Sequence, residues 1–481
     1  MMASIVLLLA LAVASAAAVA APQFRRVPLV TACASNAPPA VGALIEQART
    51  AADVLCAAEL IHAPGPPFAP AHLAQHSHQK KRQSHAANAL GRLARLLVGS
   101  GSGTARHRAL EDPRLFHLAS CAAAPSSAAA DADDAPFATR VCVDSLGALA
   151  SLCGEDAAER ALRAGAASSA AAAARLAPLR ASVSQLAQRA AALADGMTEA
   201  EAAAAAYACE RLLGAAPDAL ARRVAELPWR VVPGRVALPA ESCDAAAEEE
   251  EEVEACAPWE EAEAAVGELA GRLDVEELRR EVPFEQSVLM TADGKSVKER
   301  RHTAWLADEG IGALAYSGKL MAPASLAGSP SVAALRDALE RQSGERFDCV
   351  LCNYYPNGEA ACTWHTDPEH GTKWARPTSV VSVGETRRFA FRPMKGGGGG
   401  GGGGGASDRH VFDLFSGDVV AMRDNCNDDF EHAVLPAQGD HNKAPRISLV
   451  FKRALAGPDG RRGHGLQGQG RRARRRRTQS K

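Results

Sequence analysis

The C-terminal part of the chain alternates short apolar, β-branched runs with turn residues, a pattern typical of strands. The clearest runs cover residues 380–383, 388–391, 410–412, 419–422 and 447–451. Many short strands around a ligand cavity favour a jelly roll. One segment differs, because Val332, Leu335 and Leu339 share a stripe and predict an amphipathic helix over residues 331–343.

The preceding region has the periodicity of helices. Leucines recur at helical spacings in a background of alanine, at Leu146, Leu149, Leu152, Leu176, Leu179 and Leu186. Thr198 followed three residues later by Glu201 is typical of a capping box at a helix start. We therefore predict an Ala-rich α-helical region at residues 137–230, whose partner the sequence does not identify.

These patterns together predict an α+β protein with several segments. The expected organisation is a signal or targeting segment at residues 1–20, a low-complexity leader and linker at 21–136, the helical region at 137–230, an acidic spacer at 240–270, a β-rich domain at 275–455 and a basic disordered tail at 456–481. Ten consecutive glycines at 396–405 fall between two predicted strands. We expect them to form an inserted hairpin loop, which is tolerable because loop entropy grows slowly with length.

Charge is segregated along the chain rather than spread evenly. The 481 residues carry a formal net charge of -2, so the whole chain has no general attraction to nucleic acid. Residues 248–252 are all Glu, whereas residues 461–481 contain Arg and Lys without any acid. Such a basic run serves as a nuclear import signal or a phosphate-binding arm, or is simply a solvated tail.

The first 20 residues resemble a targeting signal. An apolar core at residues 5–13 precedes the small residues 18–20, but no basic residue precedes the core. Secretory or plastid targeting and a misassigned start codon both fit. We expect the nucleus or an organelle (plastid or mitochondrion), with no membrane segment in the mature form.

Three residues in the β-rich segment suit a metal ion. On an extended segment, His365 and Asp367 point to the same side and can grip one ion, while His432 must arrive from a distant strand or loop. Two imidazoles and one carboxylate leave three positions open on a six-coordinate ion. This donor set is typical of non-haem Fe(II) oxygenases, whereas structural zinc sites are closed and usually rich in Cys.

Arg446 adds a second kind of chemistry. A keto-diacid co-substrate can chelate the metal through one carboxylate and its keto oxygen while its far carboxylate enters the protein. That anion needs a fixed cation, and Arg446 offers a planar fork that matches a carboxylate. Ser448 and Lys452 share the strand face of Arg446, so both can reach the same pocket.

Several ordered motifs resemble those of AlkB-type dioxygenases of the eukaryotic nucleic-acid-repair branch. They stand at residues 301–305, 316–318, 353–355, 364–369, 382–387 and 445–451, and the resemblance covers about residues 280–455. It implies a double-stranded β-helix that couples 2-oxoglutarate and O₂ to the oxidative removal of alkyl groups from nucleobase nitrogens. The products would be succinate, CO₂ and formaldehyde.

The resemblance assigns roles by position. It implies Fe(II) held by His365, Asp367 and His432, and 2-oxoglutarate held by Arg446 with Asn353 and Tyr355, to which the strand face adds Ser448 and Lys452 as candidates. Substrate contacts are expected from Tyr316, Glu369 and Arg301. Tyr316 matches the aromatic residue that stacks on the extruded base, and Glu369 matches the acid at its polar edge. One departure is Lys452, where the family pattern has a second Arg; Lys keeps the charge but loses the planar fork.

The expected partner is alkylated DNA, with RNA as an alternative. Three acids between residues 424 and 429 oppose a phosphate-bearing ligand, and basic residues between 295 and 301 partly offset them. The leading hypothesis is a DNA oxidative demethylase that acts in DNA repair. An RNA demethylase, a protein hydroxylase of the same superfamily and a catalytically weak nucleic-acid-binding module remain alternatives.

Overall fold

The computed structural model describes residues 41–59, 61, 71–98, 103–124, 135–154, 169–234, 266, 269–270, 272–290, 294–316, 318–394, 409–437 and 443–456. The predicted targeting segment, the glycine run and nearly all of the acidic spacer and basic tail lie outside these residues. What the sequence predicts for them stays a prediction.

Nine α-helices precede the first strand in the described part of the chain. They are α1 (Val41–Gln47), α2 (Ala51–Glu59), α3 (Ala71–Val98), α4 (Gly103–Leu110), α5 (Pro113–Ala123), α6 (Ala135–Leu152), α7 (Ser169–Ala192), α8 (Glu199–Leu213) and α9 (Asp218–Val224). None of the described helices combines the length and apolarity that crossing a membrane requires. The predicted capping box at α8 is confirmed: the Thr198 N–H donates to Glu201 Oε2 at 2.9 Å, and the Glu201 N–H donates to Thr198 Oγ1 at 3.3 Å.

The helices share one apolar core that begins earlier than the sequence predicted. Leu90 and Leu93 of α3 and Leu118 of α5 are buried together with Leu146 and Leu149 of α6. The described part of residues 21–136 is therefore mostly packed helix and differs from the expected linker. Alanine-rich sequence resembles low-complexity linker in composition, yet small side chains let neighbouring helices approach closely and still exclude water.

The strands form two main antiparallel sheets and two hairpins. They are β1 (Trp229–Val232), β2 (Val288–Met290), β3 (Ser296–Lys298), β4 (His302–Ala307), β5 (Leu314–Tyr316), β6 (Lys319–Met321), β7 (Ala324–Ser325), β8 (Cys349–Tyr355), β9 (Cys362–His365), β10 (Thr378–Gly384), β11 (Arg387–Pro393), β12 (His410–Leu414), β13 (Val419–Met422), β14 (Phe430–Val434) and β15 (Arg446–Lys452). The larger sheet has the order β1-β13-β10-β15-β8-β4-β7, and the smaller has the order β12-β11-β14-β9. All pairs in them are antiparallel except β4 with β7. The five predicted strands are confirmed within two residues at each end.

Each face of the larger sheet is buried against different partners. One face packs against the smaller sheet, where Leu351 and Val380 meet Phe389 and Phe391. The other face is covered by α10 (Val275–Glu281) and α11 (Pro330–Ser343). The predicted helix at 331–343 is confirmed, and its predicted apolar stripe is the face that is buried. A short helix, α12 (Cys426–Asp429), precedes β14.

Strand β1 connects the helical bundle to the larger sheet. It follows α9 and pairs with β13 at the edge of the larger sheet, with Trp229 opposite Met422. The Trp229 ring stacks on Phe391 with centroids 4.6 Å apart. The sequence did not reveal this strand, because its four residues stand alone between a helical region and an acidic segment.

Candidate metal and co-substrate site

Two histidines are brought together by the pairing of β9 with β14. His365 and His432 are directly opposite each other, and their ring centroids lie 4.3 Å apart. The register shifts between His432 and Val434: a step of two residues along β14 corresponds to a step of three along β9, from His365 to Cys362. Without this bulge, Cys362 and His365, an odd number of residues apart, would point to opposite faces. The bulge therefore lets β9 bury Cys362 and still present His365 to the metal site.

Asp367 completes the cluster just after β9 ends. Its Oδ1 atom is 3.6 Å from Nε2 of His365 and 3.8 Å from Nε2 of His432. The three ligand atoms all lie within 4.8 Å of one another. The Asp367 backbone N–H donates to Oδ1 of Asn427 at 2.9 Å, which fixes the segment. The structure thus brings together the three residues that the sequence singled out as metal ligands.

The protonation states of His432 and Asp367 suit metal binding. Burial lowers the pKa of His432 to about 3, so its imidazole is neutral near pH 7. Burial would raise the pKa of Asp367, but the Lys452 ammonium and the neighbouring histidines hold it well below its usual range. For His365, burial lowers the pKa, and the Cys362 sulfur and Asp367 outweigh it, giving about 9.

Hydrogen bonding also orients His365. Its Nδ1 is 2.8 Å from the Thr363 carbonyl oxygen, so we assign the ring proton to Nδ1 as donor. Nε2 then faces Asp367 and can become a metal ligand once its proton is displaced. The side chain of His365 is 27% exposed, whereas that of Asp367 is 7% exposed, which places the open side of the cluster at His365. Two imidazole nitrogens and one carboxylate on one side of an ion fit Fe(II) with open coordination positions, and metal binding would displace the proton that His365 carries near pH 7.

Arg446 lies fully buried between the two sheets. It is 0% exposed, and its Nε donates to Oγ of Ser382 at 3.1 Å. Neither Nη1 nor Nη2 has a hydrogen-bond partner among the described residues. Burial lowers the pKa of this guanidinium. A buried cation with two free donors side by side fits an incoming carboxylate, as a keto-diacid would supply.

The other predicted co-substrate residues surround this fork. Tyr355 is directly opposite Arg446 on β8, and its ring centroid is 5.3 Å from the guanidinium carbon. Asn353 is opposite Ser448, and its buried Oδ1 also has no hydrogen-bond partner among the described residues. Because paired residues point to the same face, these side chains share the barrel interior with Arg446.

Lys452 lies elsewhere than the sequence suggested. Its ammonium contacts Oδ2 of Asp367 at 2.6 Å, so it lies at the metal cluster. Arg446 and Lys452 share one face of β15 but are six residues apart, a Cα separation of about 20 Å. Lys452 therefore contacts a metal ligand and leaves the carboxylate fork to Arg446.

The three predicted substrate residues occupy different environments. Tyr316 is buried, with the Arg301 guanidinium 5.1 Å from its ring centroid. Arg301 is itself buried and donates to Glu299 at 2.8 Å and to Cys362 at 2.8 Å. Glu369 is exposed at a turn with φ of 61°, the left-handed region, and its carboxylate is 3.7 Å from Lys373. Arg301 thus contacts Cys362 of β9 and the Tyr316 ring, and Glu369 alone of the three faces solvent.

Four residues near the site were not singled out as site residues from the sequence. They are His370, Ser382, Arg387 and Asn427. Ser382 could have been found, because it lies in a predicted strand and pairs with Ser448. Arg387 is also buried, and burial together with Arg446 lowers its pKa to about 10. His370 and Asn427 carry no sequence signal, since a turn after β9 and the short helix α12, whose positions depend on the whole fold, bring them to Asp367.

Comparisons with known proteins agree on one superfamily. Residues 268–452 match the model of the 2OG-Fe(II) oxygenase superfamily. An uncharacterised protein of Acanthamoeba polyphaga mimivirus is 29% identical over 170 residues, which are 35% of this chain and 81% of that protein. The alpha-ketoglutarate-dependent dioxygenase alkB homolog 3 of Homo sapiens is 26% identical over 191 residues, 39% of this chain and 62% of that protein. The DNA oxidative demethylase ALKBH2 of Arabidopsis thaliana is 27% identical over 176 residues, 34% of this chain and 55% of that protein. The matched part of this chain thus covers about three fifths or less of the length of these two named relatives.

The sheets, the His-Asp-His cluster and the family match define a class. Residues 268–452 form an oxygenase domain of the 2OG-Fe(II) superfamily, whose members use Fe(II) and 2-oxoglutarate. Within that superfamily, the domain is similar to proteins named as AlkB homologues.

Proposed function

We propose that this chain is an Fe(II)- and 2-oxoglutarate-dependent dioxygenase that removes alkyl groups oxidatively from nucleobases, with DNA as the leading substrate. One observation carries the proposal: a His-Asp-His cluster in the same barrel as a buried arginine whose fork has no described partner. Relatives named as dioxygenases and DNA demethylases support the nucleobase assignment. The two facing sheets support a double-stranded β-helix for residues 275–455.

The chain's own residues divide the work. His365, Asp367 and His432 would hold Fe(II), which supplies O₂ activation when bound. Arg446 would receive the distal carboxylate of 2-oxoglutarate, with Asn353, Tyr355 and Ser448 lining the same interior face. The apolar side chains between the sheets exclude water from the co-substrate.

The substrate would approach on the open side of the cluster. His365 and Glu369 are the exposed members of the site, so the base enters there. An extruded base leaves the stack at a cost of a few kcal/mol, and stacking on an aromatic ring repays part of that cost. Since Tyr316 is buried beside Arg301, its ring becomes available only if the hairpin of β5 and β6 shifts when substrate binds.

Turnover with methylated oligonucleotides tests the proposal. Purified full-length protein with Fe(II), 2-oxoglutarate and O₂ is expected to release succinate and formaldehyde in equal amounts from a methylated oligonucleotide. A panel of single- and double-stranded DNA and RNA then ranks the substrates. His365→Ala should abolish both products.

The controls separate the alternatives. Asp337→Ala, which changes an exposed carboxylate on α11, should keep full turnover. Binding of oligonucleotide without any product would favour a binding module. Succinate formation that only peptides stimulate would favour a protein hydroxylase and reject the nucleobase assignment.

A further inference from the structure

The two carboxylate oxygens of Asp367 have different surroundings. Oδ1 faces Nε2 of His365 and Nε2 of His432. Oδ2 accepts a hydrogen bond from the Lys452 ammonium at 2.6 Å. Lys452 is only 3% exposed, so this charge-assisted contact is shielded from water. One oxygen is thereby directed at the metal position, and the other is held by the protein.

A second residue lies on the far side of the ammonium. The Nε2 atom of His370 is 3.1 Å from Nζ of Lys452 and 3.8 Å from Oδ2 of Asp367. The His370 side chain is 4% exposed. An ammonium can only donate, so we assign this neutral imidazole the tautomer with its proton on Nδ1, in which Nε2 accepts from the ammonium. Lys452 is thus fixed between a carboxylate oxygen and a neutral imidazole.

Asn427 joins the same network to the backbone. Its Oδ1 accepts from the Asp367 N–H. Its Nδ2 lies 3.2 Å from Nδ1 of His370, which in the assigned tautomer is a contact between two donors and not a hydrogen bond. Thr378 Oγ1 is 3.3 Å from Nε2 of His370. The imidazole is therefore packed among polar groups that position Asp367 in both its main chain and its side chain.

The network bears on the departure at position 452. The AlkB resemblance predicts an arginine there, and a guanidinium is larger than an ammonium and needs room for a planar fork. His370 occupies the space next to Nζ, at a hydrogen-bonding distance. Lys452 and His370 together occupy the volume that an arginine guanidinium at position 452 would need.

We propose that His370 and Lys452 act as a positioning pair that holds Oδ2 of Asp367 and keeps Oδ1 directed at the metal. The pair is a feature of this chain's own residues, and the inference rests on the proposed role of Asp367 as a metal ligand. Neither residue touches the metal position itself. Their loss should weaken metal binding and leave the Arg446 pocket intact.

Titration of the full-length apoprotein with Co(II) alone tests the pair. Lys452→Met and His370→Leu should each raise the dissociation constant for Co(II) roughly 10- to 100-fold, the usual effect of losing a residue that orients a metal ligand. His370→Gln keeps an acceptor for the ammonium and should stay close to wild type. At saturating Fe(II), the KM for 2-oxoglutarate should be unchanged in all three variants.

A matched control and a rescue sharpen the test. His302→Leu removes a half-buried histidine on β4 that contacts Tyr354 outside this network, and it should keep wild-type Co(II) affinity. Lys452→Arg alone should bind Co(II) poorly because His370 blocks the fork. Combining Lys452→Arg with His370→Ala should recover affinity, which a general loss of packing would not do.

The outcomes distinguish this inference from the proposed function. If Asp367→Ala binds Co(II) as tightly as wild type, the metal site itself is wrongly assigned. If Asp367→Ala loses Co(II) but His370→Leu and Lys452→Met retain wild-type affinity, only the positioning pair is refuted. Should Lys452→Met fail to fold, equal Co(II) affinities of His370→Leu and His370→Gln would overturn the pair.

Discussion

At the scale of single residues, Arg446 is a site residue whose burial is expected to lower the stability of the folded apoprotein. A fully buried guanidinium without a partner for its fork costs free energy that an apolar side chain of similar volume would not. Ser382 and Tyr355 compensate only in part, because they contact one nitrogen and one face of the group. The co-substrate carboxylate would supply the missing partner, so ligand binding and folding stability are coupled at this residue.

Arg446→Met is therefore expected to stabilise the apoprotein while it impairs the enzyme. Without 2-oxoglutarate, the free energy of unfolding in urea should rise by about 1–4 kcal/mol, as when buried ionic groups are replaced by apolar ones. The KM for 2-oxoglutarate should rise strongly, and Co(II) affinity should stay the same. Arg341→Met, at an exposed position of α11, serves as the control and should change neither quantity. An apoprotein destabilised by Arg446→Met would mean that the arginine is already paired.

At the scale of elements, side chains of β1 connect the helical bundle to the metal site through aromatic contacts. Trp229 stacks on Phe391, which is directly opposite His432 across the β11 and β14 pair. On the other side, Phe389 stacks on the His432 ring at 5.7 Å. His432 is thus held by aromatic residues whose own positions depend on a strand that follows the bundle.

Trp229→Ala should reveal this dependence. Removing a buried tryptophan typically costs about 3–5 kcal/mol, because the cavity does not fully collapse. We expect a loss of that size in urea unfolding, together with weaker Co(II) binding through a mobile His432. Leu320→Ala, which removes an exposed leucine on β6, should leave both unchanged. A stable Trp229→Ala variant that binds Co(II) normally would show that β1 is dispensable.

The glycine run lies outside the described residues, between strands β11 and β12. Strands β11 and β12 pair antiparallel, with Phe391 opposite His410. If residues 396–405 are deleted, residues 394, 395 and 406–409 still connect β11 to β12. A connection of this length is sufficient for a hairpin. We expect turnover within about twofold of wild type, as for other changes of loop length with small entropic cost. An inactive but folded deletion variant would assign the run a role in catalysis.

At the scale of the whole described molecule, one buried carboxylate joins the bundle to the sheets. Asp418 receives Arg211 Nη1 at 2.7 Å and the Tyr207 hydroxyl at 2.8 Å, both from α8. It also accepts the backbone N–H groups of Gly234 and Phe415. The carboxylate and the arginine are almost completely buried. With four donors to one buried carboxylate, this network is expected to make the bundle and the sheets one cooperative unit.

Asp418→Ala should consequently destabilise both parts at once. Breaking a buried ion pair by removing one partner costs about 3–5 kcal/mol, because the remaining charge is left without compensation. We expect circular dichroism, which reports the helices, and Co(II) binding, which reports the barrel, to be lost in one shared transition at lower urea. Asp308→Ala, at a half-exposed ion pair with Arg336, is the control and should shift the midpoint little. Two separate transitions in the wild type would contradict the single cooperative unit.

The sequence predicted what depends on local pattern and missed what depends on distant packing. His365 and Asp367 could be paired from their spacing, and the strand that holds Arg446 could be read from its apolar run. The placement of Lys452 against Asp367, and of His370 behind it, depends on how a turn after β9 meets the end of β15. Strand β1 was missed for a similar reason, since its pairing with β13 joins residues nearly 200 positions apart. The helices before residue 136 were missed because alanine gives little periodic contrast.

The most direct test of the central claim is calorimetric titration of 2-oxoglutarate into the Fe(II)-loaded protein without oxygen. Wild type is expected to bind one equivalent, and removing the metal or introducing His432→Ala or Arg446→Met should each weaken binding strongly. Binding of 2-oxoglutarate that is unchanged by both substitutions would contradict an active site built from these residues.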